Sequence, residues 1–93
     1  MEELRPGQLV RSLAGRDKGN HYLVLRELDD KIVLLVNGRS RPVNRPKKKN
    51  RIHLQRYDRY VDLELEGHQP TDSQVIRYVK SLVDLAGDSE QEG

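Results

Sequence analysis

The chain has no cysteine, no phenylalanine and no tryptophan, and only four tyrosines among its 93 residues. Without cysteine there can be no disulfide and no thiolate metal site, so nothing covalent supplements the core. No apolar run approaches the ~20 residues that a membrane-spanning helix needs. The opening Met1-Glu2-Glu3-Leu4-Arg5-Pro6 lacks the apolar stretch of a secretory signal, so none is expected. Hydrophobic residues make up 34% of the chain and charged residues another 34%. The core must therefore be small, at a length where folding buries roughly 60–65% of the unfolded surface. One small domain in the cytoplasm, or in the nucleus of a eukaryote, without a membrane partner, is the expectation.

Charge is present in quantity and unevenly placed. Residues 1–60 carry 15 Lys/Arg against 7 Asp/Glu, a surplus of eight positive charges, and residues 61–93 carry 2 against 8, a surplus of six negative ones. Within residues 39–59 nine basic side chains face a single acid, Asp58. A solvated charged face is the ordinary explanation of a lysine run, but charge gathered this tightly is also the footprint of a polyanion-binding surface.

Short β segments dominate the first sixty residues. Gln8 to Leu13 follows the Pro6-Gly7 turn signal, Tyr22-Leu23-Val24-Leu25 is apolar on both faces, and Ile32 to Val36 is the most hydrophobic stretch. Asn37-Gly38 then favours a type I′ hairpin, with the returning strand demoted to an edge by Pro42. Strands are expected near 8–14, 20–28, 31–37, 40–44 and 51–55. Residues 44–51, with Pro46 and Lys47-Lys48-Lys49, are expected to form an exposed basic loop whose lysines can be replaced with little loss of stability. Five short strands with tight turns predict a mainly β, small SH3-like barrel. Val61, Leu63 and Leu65 alternate with acids in a strand pattern, in a stretch short enough to form a helical turn instead. Thr71 and Gln74 have capping-box spacing before an apolar stripe at Val75, Ile76, Val79, Leu82, Val83 and Ala86, so a helix is expected near 72–86. The domain reading is a barrel over 1–60, an appendage over 61–87 ending in the helix, and a disordered acidic tail over 88–93.

No catalytic constellation stands out, and the chain is expected not to be an enzyme. Gly15 and Gly19 are one residue too close for a Walker A loop, with Asn20-His21 where Lys-Ser/Thr should stand. His21, His53 and His68 are scattered without metal-ligand spacing, so no metal, cofactor or small-molecule substrate is expected. Asp29-Asp30 sits where turn chemistry favours Asp.

The stretch from Pro6 through Val10, Ser12 and Gly15-Arg16-Asp17-Lys18-Gly19 resembles the KOW motif. That motif alternates inward small or apolar positions ahead of a basic loop that ends in glycine. Val10 and Ser12 match the inward positions and Gly19 the glycine. With Asn37-Gly38-Arg39, then Asn44 to Asn50, then His53-Leu54 in the same order, residues 5–56 are similar to the fourteenth large-subunit ribosomal protein of archaea and eukaryotes and its short bacterial relatives. The resemblance implies a KOW-type barrel that binds RNA, ribosomal RNA first, on or around the ribosome and in the translation machinery, with ribosomal proteins as further neighbours.

Arg16, Lys18, Arg39, Arg41, Lys47, Lys48, Lys49 and Arg51 would supply the phosphate-binding charge, with Gly19 shaping the loop. Tyr57 and Tyr60 would either stack on unpaired bases or pack against the barrel. The runner-up is a protein-interaction module of the transcription or translation machinery, with the barrel contacting a protein. Pro46 to Arg51 also has the look of a weak nuclear localisation signal.

Overall fold

The computed structural model describes residues 3–63 and 67–86. Five strands, β1 (Gln8–Ser12), β2 (His21–Glu27), β3 (Ile32–Val36), β4 (Lys47–Asn50) and β5 (Leu54–Tyr60), form one open antiparallel sheet in the order β4-β3-β2-β1-β5. A 3₁₀ turn (Arg51–His53) separates β4 from β5, and α1 (Asp72–Ala86) closes the fold. This is a mainly β, barrel-like fold with a single C-terminal helix.

Both faces of the sheet are buried, which is why its central strands are apolar without alternation. On one face Val10, Tyr22, Val24, Val33 and Leu35 close over Leu4. On the other, Leu9, Leu23 and Val36 meet Val75 and Leu82 of α1, together with Val43 and Leu63. The helix stripe thus docks on the sheet.

Two register irregularities bend the sheet, between Val24 and Arg26 on β2 and between Gln8 and Val10 on β1. At Gly38 (φ +80°) the chain passes so close to α1 that a Cβ would lie 2.6 Å from the Asp72 carbonyl oxygen. The helix begins on the expected capping box. Gln74 N–H donates to Thr71 Oγ1 at 3.1 Å, and Thr71 N–H to Gln74 Oε1 at 3.0 Å.

β1 to β3 and the helix lie near their expected places. β5 starts later than expected, because the 3₁₀ turn occupies Arg51–His53. One expected strand is missing altogether: residues 40–44 belong to a loop in which Val43 N–H donates to Asp72 Oδ1 at 2.7 Å and Arg45 N–H to the Pro42 carbonyl. The partner of β3 is instead Lys47–Asn50, with Leu35 opposite Lys47 and Ile32 opposite Asn50. Asn37-Gly38 is not a type I′ turn, because that turn needs positive φ at both residues and only the glycine has it. Asn37 serves the loop through its side chain, whose Oδ1 accepts from the N–H groups of Arg39 and Arg41 at 2.9 Å each. Val61 and Asp62 are not in a strand, part of the alternating 61–66 stretch lies outside the described residues, and so does the acidic tail over 88–93. Among the described residues no helix is long and apolar enough to cross a membrane.

Candidate nucleic-acid interface

The β1–β2 loop is built from its backbone outward. Ser12 and Asn20 bracket it, with Ser12 N–H donating to the Asn20 carbonyl and Gly19 N–H to the Ser12 carbonyl. Gly19 holds φ +93°, as expected of the loop glycine, and no atom lies within 4 Å of where its Cβ would stand. Gly19→Ala should therefore cost only the backbone strain, about 1 kcal/mol, measurable as a shift in the urea midpoint.

Inside the loop Asp17 turns toward the sheet. Its Oδ1 lies 2.9 Å from Ser12 Oγ and 3.1 Å from Lys49 Nζ, and its Oδ2 accepts from the Tyr22 hydroxyl at 2.9 Å. Lys47 Nζ stands 3.9 Å from the same carboxylate, and Lys49 Nζ also donates to the Ala14 carbonyl at 2.9 Å. Burial alone would raise the Asp17 pKa. The hydrogen bonds from Tyr22, Lys49 and Ser12 outweigh it and hold the group at about 2. Tyr22 is pushed up by burial and by the neighbouring carboxylate.

This network changes the reading of the lysine run. Lys47, Lys48 and Lys49 are on strand β4 and not on an exposed loop. Strand alternation turns Lys47 and Lys49 to the Asp17 side and leaves Lys48 exposed on the other. Lys49 is only 12% exposed and ties β4 to the β1–β2 loop, so its replacement should lower stability, unlike that of a loop lysine.

The eight expected cations are partly gathered. Arg16, Arg41, Lys47 and Lys49 line one groove of about 470 Å³, with Asn20, Ser40 and the Asp17–Tyr22 pair. Lys18 is exposed on the same loop. Arg39 lines an adjoining groove of about 440 Å³ that shares Asn20 and includes Lys80 of α1. Lys48 lines neither groove, and Arg51 lies in a separate pocket beside Lys31 and Ile52, paired with Glu27. Among the described residues no carboxylate pairs with Arg16, Lys18, Arg39, Arg41 or Lys48.

No protein-family model matches the chain, and no curated protein is significantly similar to it.

Two residues are illegible in the sequence as parts of this surface. Lys80 belongs to the acidic part of the chain and pairs with Asp84 at 3.6 Å along the helix, so only three-dimensional placement brings it beside Arg39. Asp17 stands in the sequence as the lone acid of a basic loop, and nothing in its spacing announces that it orders two lysines thirty residues away. The two tyrosines also separate. Tyr57 packs with the helix-side core, its ring 5.6 Å from that of His21, whereas Tyr60 is exposed. His53 is exposed, and its carbonyl accepts from Leu13 N–H.

Proposed function

We propose that the chain is a non-enzymatic RNA-binding module that holds structured RNA, ribosomal RNA first, by charge and shape along the groove between the β1–β2 loop and β4. The supporting observation is the convergence of Arg16, Arg41, Lys47 and Lys49 on one groove in which Asp17 is the single carboxylate. Arg16 and Arg41 are the phosphate ligands, since guanidinium groups can pair bidentately with phosphate oxygens. Lys47 and Lys49, held by Asp17, set the positive field of the groove wall more than they grip. The KOW resemblance of residues 5–56 agrees with this role and suggests a place on or around the ribosome, in the cytoplasm. Recognition of this kind positions the backbone and reads few bases.

A salt titration of the wild-type chain on ribosomal RNA fragments tests the reading. With Lys18 and Arg39 at the edges of the groove joining Arg16 and Arg41, three to four phosphate contacts should give a log–log slope of about −3. A slope near zero, or no binding near 50 mM salt, would remove it.

A further inference from the structure

The groove does not account for the far end of β5. There Gln8 of β1 pairs with Tyr60 while Val10 pairs with Arg56, so β5 carries two extra residues over this interval. Such a bulge re-aims side chains. Here it is pinned from within, because Gln8 is fully buried and its Nε2 donates to the carbonyls of both Tyr57 and Arg59, at 2.6 and 3.2 Å. Across this interval the two tyrosines part. Tyr57 packs into the core and Tyr60 is left 46% exposed.

Tyr60 is exposed but not loose. The Arg5 guanidinium lies 4.2 Å over its ring centroid. One face of the ring is covered in this way, and the residue as a whole still stands 46% exposed. Arg56 and Arg59 stand on the same strand, Arg56 donating through Nε to the Glu3 carbonyl and lying 4.0 Å from the exposed Asp58, and Arg59 itself exposed.

We propose that the Arg5–Tyr60 pair is a stacking site for one unpaired RNA base, with Arg59 near the flanking phosphate. This rests on the RNA-binding reading and adds to it a second contact of a different kind. A cation covers one side of the ring and Gln8 fixes the backbone just before it, so stacking costs less ordering than it would for a tyrosine without those contacts. Aromatic stacking of this sort accepts any base, because every base has a π face. The site lies at the end of β5 remote from the groove. Leu54 pairs with Ser12 beside the β1–β2 loop and Tyr60 with Gln8, four β1 residues further on, about 13 Å along the sheet. A chain of RNA lying in the groove would reach it only through an unpaired segment, so the site favours RNA with a single strand beside a helix.

The test uses the full chain, a short RNA carrying 2-aminopurine in a single-stranded overhang, and the same RNA as a blunt duplex. Tyr60→Leu should weaken overhang binding about 5- to 150-fold and abolish quenching of the 2-aminopurine. It should leave duplex binding within twofold, while Tyr60→Phe keeps both overhang readouts. Since the chain has no tryptophan, Tyr60→Trp provides a single reporter. Its indole fluorescence should be quenched by the overhang and not by the duplex, whatever the stability of the leucine variant. Equal losses on both RNAs, or indole fluorescence left unquenched by a bound overhang, would overturn the stacking site and leave the groove reading standing. Failure of the wild-type chain to bind either RNA would overturn both.

Discussion

Lys49→Ala and Asp17→Ala should each destabilise the fold by about 3 kcal/mol, the low end for breaking a buried ion pair by removing one partner. Both side chains are nearly covered, at 12% and 13% exposed, and each has partners beyond the other. Removing the carboxylate leaves Lys49 Nζ and the Tyr22 hydroxyl without their common acceptor. Removing the lysine leaves the nearly covered Asp17 carboxylate without its nearest cation and the Ala14 carbonyl with only the Ser12 hydroxyl. The double variant should lose less than the sum, by about 1–3 kcal/mol, since neither group is then orphaned.

The same pair predicts a pH dependence. Asp17 falls from its ordinary 3.8 to about 2 in the folded chain. A carboxyl whose folded value is depressed contributes stability that is whole above its unfolded value and is lost as pH falls through the folded one. The contribution, about 2 kcal/mol, should therefore be present at pH 5 and disappear toward pH 2. Urea midpoints of wild type and Asp17→Ala across that window provide the measurement. Coincident curves for the two proteins would show that Asp17 does not hold the loop.

What can be read from the sequence follows from which signals are local. β1 to β3 announce themselves because each is a short apolar run bounded by turn residues, and α1 because Thr71 and Gln74 cap a clear stripe. β4 escapes such a reading for a physical reason. Lys47-Lys48-Lys49-Asn50 has neither β-branched nor aromatic residues and no apolar face, and its strand conformation comes from pairing with β3 at the sheet edge. Lysines at such an edge also guard against pairing with another chain. Arg41-Pro42-Val43 looks more strand-like, yet Val43 fills the helix-side core from a loop. The cations of the site are visible by composition, but their partition is not. Whether a lysine faces Asp17 or solvent depends on a register that only the long-range pairing sets.

That partition decides which variants test function separately from folding. Arg16, Lys18 and Arg41 have no ion-pair partner among the described residues, so replacing all three by alanine should change stability little, each within about 0.5 kcal/mol. Binding should respond strongly. With two of the three on phosphates, the triple variant should bind ribosomal RNA fragments about 100-fold more weakly near 50 mM salt, with a salt slope shallower by about two. The loss should be similar across RNA sequences, because phosphate contacts carry no base information. Lys48→Ala is the internal control. It removes a cation from the same run on the face turned away from Asp17, and should leave the slope unchanged if the groove, and not the lysine run as such, meets the RNA. Melting curves must accompany both variants, since only a folded triple variant bears on the site. A folded triple variant with an unaltered slope would make the groove a solvated face, and the barrel would then be better read as a surface for a protein partner. An equal loss from Lys48→Ala alone would instead mean that charge acts diffusely, without the geometry that Asp17 imposes.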